Sequence, residues 1–204
     1  MRLNWAERWV VNNPLRAVVQ DIEIRLLKEH MVTGSRSRFL EIGCGRGAGA
    51  RLILRDFAPE ILIASDLDTA MLVKAARYLS TDEQQSILLS AADVLSLPFR
   101  EGTFDAVFGF GVLHHVPDWR PSMAEVWRVI RPGGIYFLEE IYPSLYQNAL
   151  TKHILLHPTE DRFRSGDLKD EWARSGFSLV AAREVKRVGI VAVLRKADAQ
   201  PPAG

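Results

Sequence analysis

Short apolar runs alternate with amphipathic segments along most of the chain. Residues 37–42 (SRFLEI), 60–66 (EILIASD), 86–93 (SILLSAAD), 104–110 (FDAVFGF) and 135–140 (IYFLEE) are nearly continuous apolar stretches of strand length. Between them lie segments with apolar residues at helical spacing: Gly47 to Phe57, closed by Pro59; AMLVKAARYL after a cap at Asp68 or Thr69; and WRPSMAEVWRVI after a cap at Asp118, with Pro121 tolerated in its first turn. Glu101-Gly102-Thr103 and Arg131-Pro132-Gly133-Gly134 predict turns. GDLKDEWARSG predicts a helix stopped by Gly176, and FSLVAAREV with GIVAVLR predicts a terminal hairpin around Lys186-Arg187. Before the first strand, Asn13 caps and Pro14 opens a helix whose apolar face runs through Leu15, Val18, Val19, Ile22 and Leu26 until Thr33-Gly34-Ser35. Only the tail ADAQPPAG reads as a frayed end.

Continuous apolar strands alternating with helices mean a parallel sheet covered on both faces. The expectation is one domain over residues 1–204: a helical cap at 1–34, a three-layer α/β Rossmann-like core at 38–196, and an insert at 141–166. The sheet would be seven-stranded and mostly parallel, with an antiparallel terminal hairpin. Ligands in such sheets bind beyond the carboxyl ends of the strands, where strand order reverses. The positions to watch are therefore Gly43 to Gly47, Asp66 to Asp68, Asp93, Gly109 to His115 and Glu139 to Tyr142.

Composition narrows the class. The chain is 48% hydrophobic and 25% charged, which suits a globular fold. Lys and Arg number 26 against 25 Asp and Glu, so there is no basic excess of the kind nucleic acid selects. The single cysteine, Cys44, forbids an intrachain disulfide and makes a cytoplasmic setting the default. No apolar run approaches the ~20 residues that cross a bilayer, and the first residues lack the pattern of a signal peptide.

The chemistry centres on FLEIGCGRGAGA, residues 39–50. Gly43, Gly45 and Ala48 fit a dinucleotide turn, and Asp66, 21 residues after Gly45, suits the vicinal diol of a ribose. Those features are common to every nucleoside binder of this topology. Glu41 discriminates: a carboxylate beneath the turn disfavours pyrophosphate and suits a ligand with an ammonium group and a cationic centre. S-adenosylmethionine has both.

At this point the sequence resembles the class I S-adenosylmethionine-dependent methyltransferases, in particular the small-molecule branch called methyltransferase type 11. The resemblance spans about Arg38 to Arg195 in the family's own order. LEIGCGRG is similar to the first motif, which holds the methionine end of the cofactor, and brings in Gly43, Cys44 and Gly45. ASDLDTAML is similar to the second; it implies that Asp66 takes the ribose hydroxyls and Leu67 flanks the adenine, with Met71 on the same side. AADVLSLPF is similar to the third, implying Asp93 at the adenine amine and Val94 on the ring. FDAVFGFGVLHHVPDW, which includes Phe110, resembles the fourth, ending at the transferred methyl, and IRPGGIYFLEE resembles the turn into the fifth strand.

Each residue also has a plainer reading. Cys44 fills a tight turn in many members of the family without acting as a nucleophile. Asp93 can cap the following turn, and Glu41 can be structural. His114, His115 and Glu139 are the candidates for a general base, but LHHV recurs across different chemistries in this branch, so pocket closure is the simpler role for the histidines. Glu139 and Glu140 alternate, so at most one faces the pocket. No metal-ligand spacing occurs.

The reading is a methyltransferase acting on a small molecule. The segment after strand four reads Gly109-Phe110-Gly111-Val112 instead of the Asn/Asp-Pro-Pro-aromatic motif of base-methylating enzymes, which disfavours nucleic acid. Tyr142, Tyr146, His153, His157 and Phe163 in the insert offer stacking and hydrogen bonds to an aromatic or lipid-like acceptor such as a quinone precursor or a phospholipid headgroup. Trp5 and Trp9 suit a lid or contact with a membrane surface. The alternatives are a non-catalytic S-adenosylmethionine-binding protein and an NAD-dependent oxidoreductase.

Overall fold

The computed structural model describes residues 24, 28–30, 36–146 and 162–198. Most of the expected first helix, with Trp5 and Trp9, the Thr33-Gly34-Ser35 stop, His153, His157 and residues 199–204 of the tail lie outside these residues. In chain order the elements are β1 (Arg38–Ile42), α1 (Ala48–Phe57), β2 (Ile61–Asp66), α2 (Thr69–Tyr78), α3 (Thr81–Ser86), β3 (Ile87–Ala91) and β4 (Phe104–Phe110). A 3-10 turn at Leu113–His115 leads to α4 (Arg120–Val129), β5 (Ile130–Ile141), α5 (Pro143–Tyr146), α6 (Ser165–Arg174), β6 (Phe177–Val185) and β7 (Gly189–Lys196).

The seven strands form one sheet in the order β3-β2-β1-β4-β5-β7-β6. β1 pairs in parallel with both β2 and β4, so strand order reverses between β1 and β4. β7 runs antiparallel to β5 on one side and to β6 on the other. The inner strands β1 and β4 are apolar because both their faces are covered, whereas the edge strand β6 is largely exposed and carries Ser178, Arg183 and Glu184. On β1, Leu40 and Ile42 enter a core with Trp119, Met123, Val126, Leu168 and Trp172 of the α4 and α6 side. Phe39 enters the opposite core, with Ala50 and Ile53 of α1, Leu62, Phe108 and Phe137. Phe39, Phe57 and Phe108 pack with ring centroids 5.4–6.1 Å apart there.

Local chemistry sets the helix ends. α1 stops where Ala58 turns into the left-handed region at φ 41, before Pro59. The Asp68 carboxylate accepts the Ala70 amide at 3.0 Å and so caps α2.

Three features depart from the sequence reading. α3 was not anticipated: its six residues, TDEQQS, bury nothing and carry no apolar period, yet Ser80 and Glu83 form a reciprocal capping box. The cap of α4 is Trp119 instead of Asp118, without a side-chain bond, because the chain bends directly into Arg120 and Pro121. The turn expected at Arg131–Gly134 is a bulge inside β5. Phe104 pairs with Ile130 and Ala106 with Ile135, so four residues of β5 loop out opposite Asp105. Gly133 takes φ +73 there, and a Cβ on Gly134 would lie 2.6 Å from Ile130 Cγ2.

No described helix is long and apolar enough to cross a membrane.

Candidate cofactor and acceptor site

A cleft opens at the carboxyl ends of β1 and β4, where strand order reverses. Its walls include Gly43, Gly45, Asp66, Leu67, Met71, Asp93, Val94, Phe110 and His115 from the sequence reading, together with Ser65, Asp68, Leu95, Gly111, Val112, Val116 and Pro117. Glu41, Cys44, His114 and Glu139 do not line it.

The glycine turn after β1 is pinned on both sides. The Cys44 amide donates to the Ser65 carbonyl at 2.8 Å and the Gly47 amide to the Cys44 carbonyl at 2.8 Å. Gly43, Gly45 and Gly47 all have positive φ, at 62, 54 and 87. A Cβ on Gly43 would come within 2.7 Å of Val112 Cγ2, so this turn and the segment after β4 are packed closely.

Asp66 organises the second wall. Its Oδ2 accepts the Gly45 amide at 2.9 Å and its Oδ1 accepts the Asp68 amide at 2.8 Å. Both oxygens keep lone pairs toward the cleft. Burial raises its pKa, and the two amide hydrogen bonds oppose that rise. Asp93 performs two jobs at once: its Oδ1 accepts the Leu95 amide at 2.9 Å, closing the turn after β3, while the residue also lines the cleft. Leu67 is 57% exposed at the rim.

Glu41 lies under the turn, out of the cleft. It is buried, and a Cβ on Gly49 would strike its Oε1 at 2.0 Å. Burial pushes its pKa well up, the nearby Asp66 charge adds to this, and a hydrogen bond from the Ala50 amide works against it. Gly47 supplies no side-chain cap to α1, so Glu41 takes that task from the sheet below. Its Oε2 is buried with no hydrogen-bond partner among the described residues. Cys44 is also buried, and desolvation together with the Glu41 and Asp66 charges drives its thiol pKa far up, which makes it a poor nucleophile.

Glu41 yields a pH prediction. Its pKa is higher in the folded chain than the roughly 4.3 of the unfolded one. The folded chain therefore holds this proton to higher pH, and the associated stability, complete below the unfolded value, is lost as pH rises toward the folded value. Glu41→Gln keeps the shape and removes the titration. In ligand-free melting curves between pH 5.5 and 8.5 the variant should gain on the wild type as pH rises, by about 1 kcal/mol or roughly 2–4 °C at the alkaline end. A difference that stays constant with pH contradicts this account of Glu41.

After β4 the chain is held by Glu140, which the sequence did not single out over Glu139. Glu140 Oε1 accepts the amides of Val112 at 2.9 Å and Leu113 at 2.7 Å. Its Oε2 lies 2.8 Å from His114 Nδ1. His114 is thus committed to the sheet, and His115 is the histidine that reaches the cleft. The alternation along β5 was the available signal, since it sends Glu139 and Glu140 to opposite faces. Of the insert's aromatics, Phe163 packs edge-on against Trp119 in the core, with centroids 5.0 Å apart. Tyr142 donates to Glu184 Oε1 at 2.9 Å, and burial, reinforced by that carboxylate, pushes its phenol up to about 12. Neither residue lines the cleft; the side chain of Tyr146 lies outside the described set. Among the described residues no cluster of three metal-ligating side chains occurs.

A glycine turn after β1, a carboxylate ending β2, an aspartate after β3 and a cleft at the β1/β4 reversal define a class I S-adenosylmethionine-dependent methyltransferase domain. Residues 40–138 match the family model of methyltransferase type 11, described as a methyltransferase domain. Demethylmenaquinone methyltransferase of Deinococcus radiodurans is 34% identical over 112 residues, covering 53% of this chain and 45% of that protein. The chain spans only about a quarter to just under half the length of the curated relatives it matches. A solved structure of a sarcosine dimethylglycine methyltransferase from Galdieria sulphuraria, so designated provisionally, superposes with a TM-score of 0.75 at 15% identity, covering 88% of this chain and 86% of that one. Phosphoethanolamine N-methyltransferase 2 of Haemonchus contortus, solved with S-adenosyl-L-methionine, has a TM-score of 0.70 at 15% identity, covering 87% of this chain and 52% of that one. At these identities the structural likeness establishes the fold.

Proposed function

We propose that this chain transfers the methyl group of S-adenosylmethionine to a small-molecule acceptor, as a single domain with residues 1–34 and 141–166 on the acceptor side. The observation that supports this best is the cleft itself, which places Asp66, Asp93 and two positive-φ glycines around one space at the strand-order reversal. When bound, S-adenosylmethionine supplies a methyl group already activated by the sulfonium. The protein's task is then largely positioning. Asp66, fixed by two amides, offers its remaining lone pairs to the ribose diol. Gly43 and Gly45 admit the methionine end close to backbone, past Cys44. Asp93 and Val94 face the adenine edge and ring, with Leu67 and Met71 beside them. Phe110 closes the floor against Phe108 and Phe137. Glu41, beneath the turn and out of the cleft, supports the start of α1 and is not in place to touch the cofactor.

On the acceptor side, His115 is the side chain placed to take a proton from a hydroxyl acceptor. Glu139 and His114 are off the cleft and do not fit that role. The demethylmenaquinone relative makes a quinone-like or lipid-like acceptor the best-supported class, and nucleic acid the least.

The first test is ligand selectivity in thermal shift. S-adenosylhomocysteine at about 100 times its dissociation constant should stabilise the chain by roughly 2.7 kcal/mol, and NAD at the same concentration should not. Stabilisation by S-adenosylhomocysteine without turnover of any aromatic or lipid-like acceptor would favour the non-catalytic binding protein.

A further inference from the structure

Gly111, Val112, His115, Val116 and Pro117 form the cleft wall that faces Asp66 and Asp93. This wall is irregular backbone with one 3-10 turn, and such a segment has few internal hydrogen bonds to fix its shape. Within it the His115 amide donates to the Val112 carbonyl at 3.0 Å and the Val116 amide to the Leu113 carbonyl at 3.0 Å.

The Gly111 amide donates to the Glu139 carbonyl of β5 at 2.8 Å, and two charges from outside hold the segment that follows. From the sheet side, Glu140 on β5 takes the amides of Val112, Leu113 and His114 at 2.9, 2.7 and 3.3 Å, besides meeting the His114 ring. From the opposite direction, the Arg162 guanidinium donates to three carbonyls. Its Nη1 reaches His114 at 2.9 Å, and its Nη2 reaches Val116 at 3.0 Å and Pro117 at 2.8 Å. The carboxylate thus collects the amides at the start of the turn and the guanidinium collects the carbonyls at its end, the orientation that aligned peptide dipoles favour. Bonds to ionised groups are the strong ones, and the guanidinium donates here from two separate nitrogens held in one planar fork. Arg162 belongs neither to the sheet nor to the wall. It stands in the segment between β5 and α6, immediately before Phe163, which is buried against Trp119.

We propose that Glu140 and Arg162 are a pair of positioning residues that hold the 112–117 wall in the shape required for methyl transfer, with Arg162 tying the acceptor-side segment to that wall. The consequence for transfer rests on the methyltransferase reading; the clamp itself is testable without any ligand.

The test is hydrogen exchange by NMR on the full chain, free of ligand, for the wild type, Arg162→Gln, Arg162→Lys and Glu140→Gln. In all three variants the amides of Val112, Leu113, His114, His115 and Val116 should exchange at least about tenfold faster. The amides of Gly45 and Asp68, on the facing wall, should be unchanged, and the His115 ring signals should shift. Lysine should fail to restore protection, because a single ammonium nitrogen cannot occupy both positions from which the guanidinium donates. Calorimetry should find S-adenosylhomocysteine affinity in the Arg162 variants within about threefold of wild type, since Asp66 is untouched. Unchanged exchange at 112–116, full rescue by lysine, or acceleration spread evenly over the whole sheet overturns the proposal. The last pattern would mark Arg162 as a contributor to general stability only. Failure of the wild type to bind S-adenosylhomocysteine would instead overturn the cofactor assignment, and the exchange result would still decide the clamp.

Discussion

Gly45→Val is expected to abolish S-adenosylhomocysteine binding, raising the dissociation constant more than about 100-fold, while the far-UV circular dichroism spectrum stays that of a folded α/β protein. Two effects add. Gly45 sits at φ +54, a conformation that costs a β-branched residue on the order of 1–3 kcal/mol. The residue also lines the cleft between Gly43 and Asp66, so a branched side chain there occupies space the ligand needs. Part of the strain will fall on the hydrogen bond from the Gly45 amide to Asp66, which couples the turn to the carboxylate we propose for the ribose. Calorimetry on a folded variant is the check. Near-normal affinity would mean that the glycine turn faces something other than the cofactor.

Asp66→Ala should weaken S-adenosylhomocysteine binding by about 2–4 kcal/mol, roughly 30- to 1000-fold, because charged hydrogen bonds to a diol are lost. From the sequence alone Asp66 has only a ligand to serve, and its removal should leave the free protein's stability unchanged. The structure alters that expectation. The carboxylate holds the Gly45 and Asp68 amides, so the alanine variant should also lose on the order of 1–3 kcal/mol of ligand-free stability. Asp66→Asn keeps one acceptor oxygen and should fall between the two in both measurements. An Asp66→Ala protein with wild-type affinity would remove Asp66 from the site.

Much of the fold was legible because the signals were dense. Apolar runs separated by helical periods fixed the layer arrangement, and β4, β6 and the hairpin fell where the sequence placed them. The cleft wall was legible for the same reason: the glycines follow β1 and Asp66 ends β2, and both line the cleft. What escaped had no pattern of the kind being read. α3 is held by a capping box on a polar surface, without an apolar stripe. The bulge in β5 resembles a turn locally, and only the pairing of Ile130 and Ile135 with β4 reveals one continuous strand. The clamp is the clearest case. Glu140 and Arg162 lie 26–28 and 45–48 residues from the atoms they hold, and their partners are backbone groups, which every residue carries. Tyr142 and Phe163 read as surface for an acceptor because they are aromatic, whereas one is tied to Glu184 and the other to Trp119.

The central claim is that the cleft between β1 and β4 is built for S-adenosylmethionine. Isothermal titration of the wild-type chain with S-adenosylhomocysteine and, separately, with NAD tests it most directly. The account predicts a single micromolar site for S-adenosylhomocysteine, roughly 7–8 kcal/mol, and no measurable heat with NAD. Tighter binding of NAD than of S-adenosylhomocysteine would contradict it.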